Sequence, residues 1–75
     1  MITIHPLELR TIHSKRRTRQ AWLGQVDRGE NFWSVLVNYE EDMTNGHMWI
    51  ILLNQLPEFS IDERDRIAQE LMRFL

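Results

Sequence analysis

The sequence predicts an α+β fold: a three- to four-stranded antiparallel β-meander packed against one C-terminal α-helix. Three observations predict it. Apolar side chains recur at three- and four-residue spacing through Ser60–Leu75, behind a helix-capping signal. The stretch Phe32 to Tyr39 alternates, with Trp33, Val35, Val37 and Tyr39 on one face and Phe32, Ser34, Leu36 and Asn38 on the other. Turn signals around Gly29 and at Asn45-Gly46 cut the middle of the chain into strand-length pieces. The 75 residues form a single small domain. Residues 1–18 are an N-terminal extended, ambiguous segment, residues 19–56 the β-meander and residues 60–75 the C-terminal helix.

Taken in order, Met1 to His5 alternates as a strand until Pro6 interrupts it. The following residues, Pro6 to Ile12, suit either an edge strand or one helical turn. Residues 20–26 and 32–40 then read as a hairpin around a short loop containing Gly29. Gly24 marks a bulky neighbour such as Trp33, or a bulge. Residues 47–54 are apolar on both faces and read as a central strand. A five-residue loop, Asp42 to Gly46, would set Tyr39 opposite Trp49, Val37 opposite Ile51 and Val35 opposite Leu53. The helix spans 61–74. Ser60 and Glu63 form its capping box, and one face carries Ile61, Arg64, Ile67, Ala68, Leu71, Met72 and Leu75.

A chain this short buries only about 60% of its unfolded surface. With no cysteine, disulfides cannot reinforce it. Self-association or a partner is the usual alternative, so a homodimer or a protein partner is expected. One sheet face would take the helix, leaving Leu36, Met48, Ile50 and Leu52 on the other. Burying each such side chain is worth about 1.5–3 kcal/mol. The longest apolar run, Met48 to Leu53, is far short of the ~20 residues a spanning helix needs. The N-terminus lacks the pattern of a signal peptide. The chain therefore reads as a complete, cytoplasmic gene product with no membrane association.

Catalytic chemistry finds little support. There is no thiol nucleophile, and Ser60 is used as a cap. His5, His13 and His47 are scattered over extended and loop segments, where a metal or general-base site would need them together. Glu40, Glu41 and Asp42 would occupy a solvated hairpin tip. The glycines are isolated, so no phosphate loop is present. The expectation is a protein that is not an enzyme and has no cofactor and no metal.

The charge is split. Residues 1–28 hold six basic and two acidic side chains, and residues 29–75 hold three and nine. The densest basic stretch is His13 to Trp22. Drawn as an extended strand, it sends Arg17 and Arg19 to one side and Arg16 and Thr18 to the other. The sequence thus points to a small regulator, adaptor or inhibitor that binds another protein. Its expected binding residues are Arg10, Lys15, Arg16, Arg17, Arg19, Trp22, Met48, Ile50 and Leu52. The second reading is a nucleic-acid-binding module in which Lys15 to Arg19 meet phosphates and a base stacks on Trp22. The net charge of −2 places it second, because nucleic-acid modules are characteristically basic.

Overall fold

A computed structural model describes residues 1–39 and 42–75. Strands β1 (Ile2–Ile4), β2 (Glu8–His13), β3 (Thr18–Arg28) and β4 (Asn31–Asn38) precede helices α1 (Asn45–Gln55) and α2 (Ile61–Met72). The strands form one antiparallel sheet built around β3. β4 pairs along one edge of β3, while β1 and β2 share the other. The architecture is the predicted α+β, with two helices in place of one.

β1 and β2 are in effect one strand broken by a bulge. Ile4 pairs with Val26 and Glu8 with Leu23, so His5, Pro6 and Leu7 face only Gly24 and Gln25. Pro6 sits where the extra residue already interrupts the ladder, so its missing N–H costs nothing there. The ambiguous segment from Pro6 to Ile12 is therefore mostly edge strand. Gly24 lies opposite the bulge and faces Leu7 rather than Trp33. A Cβ at Gly24 would come within 2.8 Å of Leu7 Cδ2. At the other hairpin, Gly29 has φ +62°, as the first central residue of a type II′ turn requires.

Residues 47–54 are helical, which overturns the strand expected there. The run Met48 to Leu53 is apolar all round, and periodicity cannot separate a buried strand from a helix over so few residues. Two features favour the helix. Thr44 is an N-cap whose hydroxyl accepts the His47 N–H at 3.1 Å. In addition, the sheet needs a second covering element on its apolar face. Met48, Leu52 and Leu56, at helical spacing, are wholly buried. The loop expected over Asp42 to Gly46 and the cross-strand pairs Tyr39–Trp49, Val37–Ile51 and Val35–Leu53 do not form. Asn45-Gly46 opens the helix instead of turning a hairpin. Glu40 and Glu41, expected at a strand end and an acidic tip, lie outside the described residues.

α2 begins on the predicted capping box. Ser60 Oγ accepts the Glu63 N–H at 3.1 Å, and the Glu63 carboxylate accepts the Ser60 N–H at 2.9 Å. Ile67, Ala68 and Leu71 enter a core with Leu7, Val26, Val35, Val37, Met48, Leu52, Leu56 and Phe59. Arg64 lies on the same buried face. Its Nη1 donates to the carbonyls of Leu56 at 3.2 Å and Phe59 at 2.6 Å. A charged side chain from α2 thus satisfies the carbonyls that follow α1, whose own last turn contains no base.

Candidate functional site

The β2–β3 hairpin carries the densest positive charge. Ser14 N–H donates to the Arg17 carbonyl at 3.1 Å, and Ser14 Oγ donates to the same carbonyl at 2.6 Å. These bonds make Lys15 and Arg16 the two turn residues. The basic stretch is therefore a hairpin tip, and the single extended strand expected from His13 to Trp22 is corrected. The reversal gathers the cations more tightly than a strand would.

The partners of the cations divide into two groups. Arg10 is bonded to Glu8, Arg28 is paired with Glu63 at 3.5 Å, and Arg73 is paired with Glu70 at 3.4 Å. Arg64 is taken up by carbonyls. Lys15, Arg16, Arg17 and Arg19 have no ion pair among the described residues, and all four lie on one hairpin. Arg66, on α2, also has no ion pair among the described residues.

The sheet face away from the helices continues from this hairpin. Strand alternation places Arg10 and Ile12 of β2, Arg19, Ala21 and Leu23 of β3, and Phe32 and Leu36 of β4 on it. Leu23 pairs across the sheet with Leu36. Leu36 shares a depression with Arg19 and with Ile50 of α1. Phe32 is 66% and Ile50 57% exposed. Farther along, the face turns polar: the Asp27 carboxylate bonds the His5 ring at 2.6 Å and accepts the Gln25 amide at 2.8 Å. These contacts, with the His5 bond the larger, hold the Asp27 carboxyl below the usual carboxylate range.

Several expected binding residues are relocated. Met48 and Leu52 have no exposed surface and belong to the core, which removes them from any docking face. Ile50 stays exposed, on a helix rather than a sheet. Trp22 projects from the helix-covered face of β3, opposite to Arg19. Its ring lies 6.0 Å from that of Tyr39, at a tilt of 39°. It therefore does not flank the basic tip as the stacking arrangement required. Leu23 and Phe32 were not singled out, although strict alternation from Trp22 and Trp33 would have placed both on the open face.

The three histidines stay apart, His5 at the bulge, His13 at the end of β2 and His47 in α1. Among the described residues, no group of three His or carboxylate side chains could hold a metal. No helix among them is long and apolar enough to cross a membrane. No family model matches the chain, and neither a curated protein nor a solved structure is significantly similar to it.

Proposed function

We propose that this protein is a small, non-enzymatic cytoplasmic regulator, adaptor or inhibitor that binds an acidic surface of another protein. One observation carries this reading: four cations with no ion pair among the described residues gather on one hairpin, beside an open sheet face bearing Leu23, Phe32 and Leu36. Partnered arginines elsewhere in the chain neutralise local acids, whereas these four are left to meet an external anion. Charges at the rim steer encounter and set orientation, and the apolar centre supplies burial. The apolar pair Leu23–Leu36 on the open face and the net charge of −2 suit a protein partner better than a polyanion. Trp22, packed beside Tyr39, offers no base-stacking platform next to the tip.

The test is affinity capture with and without nuclease, using the wild type and a variant with Lys15→Ala, Arg16→Ala and Arg17→Ala. The expected result is a protein partner that survives nuclease, is released by raised salt and is lost in the variant. Recovery of nucleic acid alone would favour phosphate binding. Its affinity for duplex DNA would then fall with salt at a slope of about −0.9 per neutralised phosphate.

A further inference from the structure

We infer that the partner docks as an extended acidic segment that adds to the free edge of β2 as a further strand. The inference rests on the proposed acidic-partner reading and specifies how that partner is held.

The two sheet edges are treated differently. On β4, Gln55 of α1 closes the edge as a neighbouring strand would. Its Oε1 accepts the Leu36 N–H at 2.7 Å, and its Nε2 donates to the Leu36 carbonyl at 2.8 Å. Among the described residues no side chain closes β2 in this way, and Glu8 to His13 are exposed apart from half-buried Ile12. The Ser14–Arg17 bond sets the alternation of the ladder. Counting back, Ile12–Arg19 and Arg10–Ala21 exchange bonds with β3. Leu9, Thr11 and His13 must then turn their N–H and C=O groups outward, a row of donors and acceptors ready for another strand. Strand addition draws affinity from such main-chain bonds and specificity from flanking side chains.

Charge selects the occupant. The open edge leads directly into the tip that holds Lys15, Arg16 and Arg17, so acids toward one end of an added strand would be neutralised there. A second copy pairing through its own β2 would bring four more cations that have no ion pair among the described residues. The anion it would offer along that strand is Glu8, which Arg10 already holds.

The experiment is amide exchange of the isotope-labelled protein with a short synthetic peptide alternating glutamate and valine. A peptide alternating lysine and valine serves as control. Saturation with the acidic peptide should slow exchange at Leu9, Thr11 and His13 on the order of tenfold or more, leaving Arg10 and Ile12 unchanged. Thr11→Pro, whose N–H faces solvent, should keep the thermal midpoint and lose the peptide. The Lys15, Arg16 and Arg17 triple alanine variant should weaken binding on the order of tenfold.

Two results would sink strand addition while sparing the acidic-partner reading. One is peptide binding that shifts the methyl signals of Leu23 and Ile50 without protecting the edge amides. The other is a folded Thr11→Pro variant that binds as the wild type does. Edge protection that appears without peptide and grows with protein concentration would make a second copy the occupant and overturn the inference. Equal binding of the acidic and basic peptides, unaffected by the triple change, would bring down both proposals. Absence of any acidic-peptide binding would overturn strand addition.

Discussion

Arg64 is the residue on which the helix layer depends most visibly. Its guanidinium reaches back from α2 to the carbonyls of Leu56 and Phe59, and its carbon 5.7 Å from the Trp49 ring centre adds a cation–π contact. Arg64→Met keeps the side chain's length but strands those carbonyls, at a cost of about 2–3 kcal/mol. Chemical denaturation followed by tryptophan fluorescence would measure it. Asp27 makes a different prediction. Its native pKa is lowered, so its contribution is complete above the ordinary carboxylate range and is lost as pH falls through the native value. Glu63 behaves likewise because the Ser60 backbone N–H bonds its carboxylate. Asp27→Asn should therefore flatten the loss of stability below about pH 4, as acid titration of the two proteins would reveal.

At the scale of the element, α1 is the instructive case. In a strand, Ile50 and Leu52 would share a face and respond alike to substitution. On a helix of about 3.6 residues per turn they lie about 200° apart. Ile50→Asp should then change stability by no more than about 0.5 kcal/mol, as exposed substitutions usually do. Leu52→Ala should cost about 2–5 kcal/mol, the range for a truncated core leucine. Similar losses in the two variants would argue for a strand. Gln55 links this helix to the sheet, and the bond runs through the backbone of Leu36 rather than its side chain. Gln55→Ala would leave the β4 edge open as well as β2.

For the molecule as a whole, the helices settle which apolar residues are left outside. Met48 and Leu52, expected to drive self-association from a bare sheet face, are inside the core. What stays on the open face is the smaller Leu23–Leu36 pair, with Phe32 farther along beside Asp27, and at the hairpin end cations that have no ion pair among the described residues. Like charges at that end oppose the pairing of identical copies. Sedimentation across a concentration range should accordingly give a monomer in the absence of partner. A dimer that persists with Leu23→Asp would place the self-contact elsewhere.

By itself the sequence determined the features that rest on local chemistry. The capping box starts α2 at Ser60, because two reciprocal side-chain bonds satisfy its free N–H groups. The alternation of β4 fixes which side chains face the core, because a strand has only two faces. Gly29 turns the hairpin, because it takes a positive φ cheaply. The clustering of bases before residue 20 was equally plain. Only the tertiary structure decided the rest. Met48 to Leu53 is compatible with strand or helix until the sheet's need for a second covering layer selects the helix. The basic run became a tip once β2 folded back on β3. Whether a cation finds an acid depends on which acids the fold brings near, and among the described residues that separated Arg10, Arg28 and Arg73 from Lys15, Arg16, Arg17 and Arg19. Spacing along the chain reports local periodicity, but the open edge and the unpaired charge beside it arise from contacts between residues distant in sequence.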